Sequence, residues 1–230
     1  MVIITINKKV TKKTNNKLGS KFGTTKITKN AIKDVKIACV RNKWNKRRCV
    51  CKITEIVVDT EFLVQINKKK IEKSRRSCFD TKTLKAVSCD KKDGKLVPKK
   101  PHHKKLDVKS VEIHEMQHVD DVIEHLKKSL KERLKKIGNE TAECACKDRQ
   151  TRCKNMLKRL VQNRARAILR RAYRGILNHQ HDTEKTARKA QAKYLIESCK
   201  KKKLKLKKRV VKKKAPKKRI QKKREIKRKA

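Results

Sequence analysis

The chain of 230 residues is poor in aromatic side chains, glycine and proline, and it has no long apolar run. Aromatic residues make up only 3% of it, with 5 Gly and 3 Pro. So few aromatic rings exclude the stacking platforms with which many proteins hold single-stranded nucleic acids. No segment approaches the roughly 18 apolar residues that a transmembrane helix needs. The N-terminus has neither the basic stretch nor the apolar length of a signal peptide, so we expect an intracellular protein.

Acidic residues are also scarce, and positive charge is therefore the dominant feature of the chain. Lys and Arg number 73 against 22 Asp and Glu, which gives a formal net charge of +51. A compact globule with this charge would repel itself strongly unless a polyanion neutralised it. The composition therefore predicts a nucleic-acid partner and only a small folded core.

The N-terminal half carries weak structural signals. Residues 1–31 are rich in Lys, Thr and Asn without a sustained period, and we predict a disordered basic arm. Residues 32–97 contain short alternations of apolar and polar residues, which indicate a small β-containing zone, with a hairpin somewhere in 32–66. The dipeptide Asp59-Thr60 is the candidate turn of that hairpin, between strands at 49–58 and 61–66. Residues 98–106 contain two prolines and form a basic linker.

Helical periodicity dominates residues 107–199. In 107–137 apolar residues recur at heptad spacing, acids fill the first half and bases the second, as the helix dipole favours. A second helix is predicted over 141–177 and a third over about 183–199. We therefore predict a mainly α fold, built as a helical hairpin or short coiled coil, with possible self-association through 107–137.

The C-terminal zone, 200–230, contains 20 Lys and Arg and a single acid, Glu225. This composition predicts a disordered polycationic tail that neutralises phosphates without reading sequence. The arginines of the second predicted helix can add contacts to the same backbone. The predicted nucleic-acid-binding residues are Lys201, Lys202, Lys203, Lys205, Lys207, Lys208, Arg209, Lys212, Lys213, Lys214, Lys217, Lys218, Arg219, Arg164, Arg166, Arg170 and Arg171.

One catalytic motif also occurs, because the segment HEMQH at 114–118 matches H-E-x-x-H. On a helix its two histidines share a face and can bind zinc, with the glutamate as general base. Glu140 or Glu143 is the third ligand that the sequence suggests. The motif lies in an acidic, histidine-rich helix that matches it easily by chance, and Met116 occupies a heptad position. We therefore expect no enzyme, no metal site and no cofactor.

Nine cysteines occur, and their spacing leaves three interpretations open. C-x-C pairs differ from the C-x2-C pairs of ordinary zinc fingers, although Cys144, Cys146 and Cys153 with a histidine could hold zinc. In a reducing nucleus the cysteines would be free thiols. Alternatively they cross-link copies of the protein on DNA. The candidate cross-linking residues are Cys49, Cys51, Cys144, Cys146, Cys153 and Cys199.

The tail segment 212–218, KKKAPKK, resembles the Lys/Ala/Pro repeats of linker-histone tails. High basic charge together with many cysteines and a helical zone resembles the linker-histone-like and protamine-like sperm nuclear proteins of insects. The resemblance implies chromatin compaction in sperm nuclei, with cysteine cross-linking at maturity.

The sequence therefore predicts a non-enzymatic nuclear protein that binds double-stranded DNA without sequence specificity and condenses chromatin. No membrane and no small-molecule substrate is expected. The alternative is a ribosomal or ribosome-assembly protein that binds rRNA, since such proteins also combine small cores, long helices and polycationic extensions.

Overall fold

The structure is a computed structural model and describes residues 2–146, 150–178 and 183–201. Long strands and long helices alternate with short ones along these ranges. The strands are β1 (Ile3–Thr14), β2 (Gly23–Arg41), β3 (Arg48–Ile66), β4 (Cys78–Asp80), β5 (Lys85–Val87), β6 (Asp90–Lys92), β7 (Lys95–Val97), β8 (His103–Lys105) and β9 (Thr141–Ala145). The helices are α1 (Lys68–Lys73), α2 (Val108–Gly138), α3 (Gln150–Asn178) and α4 (183–201).

The predicted mainly α fold is wrong, because the described chain is a mixed α/β structure. Its main sheet has the order β1-β3-β2, with β1 parallel and β2 antiparallel to the central strand β3. Strand β9 pairs with the first residues of β3, antiparallel. Helices α2 and α3 pack on this sheet and on each other.

The predicted disordered arm is instead the strand β1 and the beginning of β2. Ile4, Ile6 and Val10 of β1 pack against the core. Between them stand polar and basic side chains, so the alternation is diluted by lysine and threonine. Lys8 forms an ion pair with Asp120 of α2 at 2.8 Å, and Lys12 pairs with Glu112. The acidic half of α2 thus contacts the basic strand of its own chain.

The predicted hairpin around Asp59-Thr60 is also wrong, since β3 runs without a turn from Arg48 to Ile66. Val58, Thr60 and Phe62 are all buried on one face. Successive side chains of a strand point to opposite faces, so Thr60 continues the core-facing row. The turn signal at Asp59-Thr60 therefore comes from a buried hydroxyl residue inside a continuous strand.

The second predicted helix begins nine residues too early, because Thr141–Ala145 forms β9 and α3 begins at Gln150. Ala142 faces the core and Cys144 lies half-buried beside it, which is the alternation of a strand. The disulfide Cys144–Cys153 then joins β9 to α3. The helix predicted at about 183–199 is present as α4.

Helix α2 begins and ends close to the predicted bounds. Asp107 caps it by accepting a hydrogen bond from the Ser110 amide, and Asn139 follows its last turn. Of its heptad residues, Met116 is only partly buried, whereas Val119, Leu126 and Leu130 are fully enclosed. Each such side chain contributes about 1.5–3 kcal/mol by leaving water. Because this apolar face is covered by the chain's own sheet and helices, self-association through 107–137 stays a prediction that would need another surface.

A small three-stranded sheet, in the order β5-β4-β8, closes the end of the molecule near the start of α2. Phe79 of β4 and Leu106, just after β8, join the main core. Strands β6 and β7 form a separate hairpin. Among the described helices, none combines the length and apolarity that crossing a membrane would require.

Candidate metal centre and catalytic site

The first turns of α2 present the two histidines of the H-E-x-x-H motif to the same cavity. His114 and His118 lie one turn apart, and their Nε2 atoms are 3.2 Å from each other. Their rings meet edge to face, with centroids 4.9 Å apart. Residues four apart on a helix share a face, so the backbone of α2 alone brings both nitrogens to one point.

A carboxylate from α4 completes this group. Oε2 of Glu184 lies 3.6 Å from Nε2 of His114 and 3.3 Å from Nε2 of His118. The other oxygen of Glu184 accepts a hydrogen bond from Nε of Arg188, at 2.6 Å. Arg188 also donates to the carbonyl of Leu84, at 3.4 Å. It therefore fixes the carboxylate and links it to the small sheet. We call His114, His118 and Glu184 the metal triad.

The charges of this group reinforce each other. Hydrogen bonds from His114, His118 and Arg188 hold the pKa of Glu184 far below its usual range. Burial by itself lowers the pKa of His118, but the carboxylates of Glu184 and Glu115 more than offset it, so the pKa is raised. Glu184 is thus a permanent anion directed at both imidazoles.

Glu115, the acid of the motif, has hydrogen-bond contacts different from those of the metal triad. It is only 6% exposed, and its Oε2 accepts a hydrogen bond from the Thr25 hydroxyl at 2.7 Å. Burial raises the pKa of Glu115, against the opposite effect of the Thr25 hydrogen bond. Gly23 makes room for this carboxylate, because a Cβ there would lie 2.7 Å from Oε1 of Glu115. A raised carboxyl pKa brings a glutamate closer to the range in which it works as a general base at neutral pH.

All four side chains line one cavity of about 730 Å³, which is open to solvent on one side. Gly23–Ile27 of β2 form one wall of the cavity, and Phe79 and Leu106 contribute an apolar floor. Volumes in this range are typical of ligand sites. One cavity is therefore lined by the metal triad and by Glu115 together.

The spacing of the metal triad fits a zinc ion. Zinc binds imidazole nitrogen and carboxylate oxygen at about 2.0–2.2 Å, so the ligand atoms of a tetrahedral site lie about 3.3 Å apart. The three separations here are 3.2, 3.3 and 3.6 Å. Three protein ligands leave the fourth position open, which is the arrangement of catalytic rather than structural zinc sites.

The sequence supplied two ligands and the base of this site but not its third ligand. Glu140 instead forms an ion pair with Arg164. Glu143, on β9, forms an ion pair with Arg48, the first residue of β3. Neither lines the cavity. Glu184 is 66 residues beyond His118, at the start of the third predicted helix, and nothing in the spacing marks it. Its one signal is Arg188, four residues later on the same helix face.

The predicted nucleic-acid-binding residues fall on a different part of the chain. Arg164, Arg166, Arg170 and Arg171 are exposed on α3, and Lys201 is exposed at the end of α4. The predicted lysines and arginines from 202 onwards lie outside the described residues. Of the five predicted residues that the structure describes, none belongs to the metal triad or lines its cavity.

Eight of the nine cysteines are paired within the chain. The disulfides are Cys39–Cys51, Cys49–Cys146, Cys78–Cys89 and Cys144–Cys153. Five of the six predicted cross-linking cysteines thus have partners in their own chain, and Cys199 is the free thiol. Three of these bonds tie β2, β3, β9 and α3 together at one end of the main sheet.

The chain matches no known family, no curated protein and no solved structure.

Proposed function

We propose, against the expectation from the sequence, that this protein is a zinc-dependent peptidase. The observation that carries the proposal is the convergence of the metal triad, from two helices, at distances of 3.2–3.6 Å beside a buried glutamate in a single open cavity. The H-E-x-x-H motif alone is a weak signal. A third ligand delivered by tertiary structure to the open face of that motif is a much stronger one.

The residues divide the chemistry between them. Zinc bound by the metal triad would polarise a substrate carbonyl and lower the pKa of a water molecule. Glu115 accepts the proton of the attacking water and returns it to the leaving amine, a role for which its raised pKa suits it. Arg188 orients Glu184 and keeps it ionised. Phe79 and Leu106 contribute apolar surface to the cavity lining.

The walls of the cavity favour an extended peptide as substrate. Strand β2 borders the cavity at Gly23–Ile27 and is an edge strand of the main sheet within the described chain. An exposed strand edge can pair with an extended peptide through backbone hydrogen bonds. Pairing along β2 would carry a peptide bond past Glu115, whose partner Thr25 lies on the same strand.

The test uses the full-length chain with its disulfides formed. Metal content is measured after dialysis against a trace of zinc, and hydrolysis is followed with quenched fluorescent peptides of mixed sequence. We expect His118→Ala to lose one equivalent of zinc and all hydrolysis. Glu115→Gln should keep its zinc and lose about 10²–10⁴-fold in turnover. His125→Ala, a histidine on α2 that does not line the cavity, is the matched control and should behave as the wild type.

The competing explanation is that the metal triad is only an ion-pair cluster that joins α2 to α4. In that case wild type and His118→Ala would bind the same amount of zinc. His118→Ala would then lower only the melting temperature. Hydrolysis that survives Glu115→Gln would equally remove the proposal.

The charge of the chain favours a second function, the binding of double-stranded DNA. We propose that the tail at 200–230 and the exposed arginines of α3 bind phosphates without sequence specificity, as the net charge of +51 suggests. Chromatin condensation, the sperm-nuclear resemblance and the alternative of rRNA binding all stay predictions. The four disulfides favour an oxidising compartment, since such bonds are rare where thiols are kept reduced. That observation bears against nuclear localisation, which also stays a prediction.

Localisation of the tagged protein followed by separate DNase and RNase treatment tests the second function. Release by DNase from condensed nuclei supports DNA packaging. Release by RNase supports the rRNA alternative. A protein found outside both nucleus and nucleolus, and released by neither enzyme, would remove the nucleic-acid function and leave the peptidase proposal unaffected.

A further inference from the structure

A second group of imidazoles and a carboxylate lies in the small sheet. Asp80 ends β4, and His103 begins the neighbouring strand β8, where the two residues are paired in register. His102 precedes His103, and its carbonyl accepts hydrogen bonds from the amide and the hydroxyl of Thr81, at 3.1 and 2.9 Å. Two adjacent strands and one turn thus hold these three side chains together.

The two oxygens of the Asp80 carboxylate have different contacts. Its Oδ1 accepts hydrogen bonds from the amides of Lys82 and Thr83, at 2.8 and 3.2 Å. Its Oδ2 faces Nε2 of His102 at 3.4 Å and Nε2 of His103 at 3.6 Å. One oxygen therefore shapes the turn, and the other is free to serve as a ligand.

The ring of His103 is buried, and one of its two nitrogens, Nδ1, has no hydrogen-bond partner among the described residues. The residue is only 8% exposed. The separation of 3.6 Å between Nε2 and Asp80 is too long for a hydrogen bond, which usually spans about 2.7–3.2 Å. Buried polar atoms are normally satisfied, whereas this buried imidazole makes no close hydrogen bond to the carboxylate that its Nε2 faces.

The separations suit a metal ion better than an ion pair. As for the metal triad, ligand atoms on a tetrahedral zinc lie about 3.3 Å apart, close to the 3.4 and 3.6 Å observed here. Two imidazoles and one carboxylate are also a donor set that zinc accepts readily. The sulfur cluster of Cys51, Cys144 and Cys153 is a poorer candidate, because disulfides already occupy those atoms.

We propose that Asp80, His102 and His103 bind a zinc ion, separate from the one proposed for the metal triad. The ion would clamp β4 to β8 and bind Nε2 of His103 where the contact with Asp80 is too long for a hydrogen bond. Because β4 and the following turn carry Phe79 and Leu84, the clamp would also hold the cavity floor and the carbonyl that Arg188 contacts. This inference does not rest on the peptidase proposal.

Zinc stoichiometry tests it in the full-length chain, in a Cys199→Ser background that removes the free thiol. Each protein is stripped with chelator, reloaded with Zn²⁺, dialysed and analysed by mass spectrometry of the metal. We expect two equivalents in this background, one in His102→Ala, one in His118→Ala and none in the double variant. Lys104→Ala, at a neighbouring basic residue on β8, is the matched control and should retain two.

The outcomes separate the two proposals. Equal zinc content with and without His102→Ala overturns the site in the small sheet, whatever His118→Ala does. If His102→Ala loses one equivalent of zinc and His118→Ala loses none, the site in the small sheet is supported and the metal triad does not bind zinc. His102 is partly exposed, so we expect the variant to fold, and circular dichroism checks this. In addition, zinc should raise the melting temperature of His118→Ala but not that of the double variant with both His102→Ala and His118→Ala.

Discussion

Replacing Gly23 by alanine is the sharpest test of how the fold positions the catalytic base. The new Cβ would lie 2.7 Å from Oε1, 2.8 Å from Cγ and 3.0 Å from Cδ of Glu115. Ordinary van der Waals contacts of a Cβ lie at 3.4–4 Å. The Glu115 carboxylate must therefore move by about 0.7 Å, away from β2 and from its hydrogen bond with Thr25.

A displacement of this size is enough to impair catalysis. A misplacement of about 1 Å in a catalytic group costs about 10²-fold in rate, so we expect turnover of Gly23→Ala to fall by about 10- to 100-fold. Zinc content should not change, because no ligand of the metal triad contacts Gly23. Overpacking should also lower the free energy of unfolding by about 1–3 kcal/mol.

Gly138→Ala is the matched control, at the opposite end of α2. There a Cβ would lie 2.6 Å from Cγ2 of the buried Val2, so the steric conflict is similar but far from the cavity. This variant should lose stability and keep full turnover. Turnover is measured with the quenched peptides, stability by urea unfolding, and zinc by mass spectrometry. Equal turnover in Gly23→Ala and Gly138→Ala would refute the role given to Glu115.

Three further outcomes are expected. In zinc-free protein, Glu115→Gln should stabilise the fold increasingly as the pH rises above the ordinary carboxyl pKa of 4.5. The reason is that burial raises the pKa of Glu115, so the wild type must ionise that group inside the protein. Urea titrations at pH 4 and pH 8 measure the difference in unfolding free energy between variant and wild type, and an equal difference at both pH values would contradict the prediction. Replacing Cys49 and Cys146 by serine should lower the unfolding free energy by about 4–5 kcal/mol, because their disulfide spans 97 residues; calorimetry checks the value, and a loss below 1 kcal/mol would show that the bond is dispensable. For DNA, the logarithm of the affinity should fall with the logarithm of salt concentration at a slope near −9 if about ten phosphates are neutralised; truncation after residue 201 should flatten that slope in a filter-binding titration, and an unchanged slope would place the binding surface elsewhere.

The helical elements were the most predictable part of the fold, because their signals are local. The heptad residues of α2, its Asp107 cap and the Gly138-Asn139 stop are all present in the sequence at the spacing that a helix requires. The position of α4 followed in the same way. None of these signals depends on what the helix packs against.

The sequence indicated strands within 32–66 but neither their bounds nor the sheet that they form, because strands are defined by partners far away in the sequence. Strand β1 appears as a disordered arm when considered alone, since lysine and threonine separate its apolar residues. It becomes a strand because Ile3–Thr14 pairs in parallel with residues 55–66 of β3. The acids of α2 then neutralise part of its charge, through Asp120 and Glu112.

The sequence by itself determined the excess of positive charge, the tail, the helix α2 and the two histidines one turn apart on it. Only the tertiary structure decided what those histidines face. Glu184 comes from α4, which begins 65 residues after His118. Gly23 and Thr25 come from β2, which precedes α2 in the sequence. A helix fixes neighbours three or four residues away, whereas a metal centre needs ligands that converge in space. That convergence depends on how the sheet and the helices pack, and no local pattern encodes it.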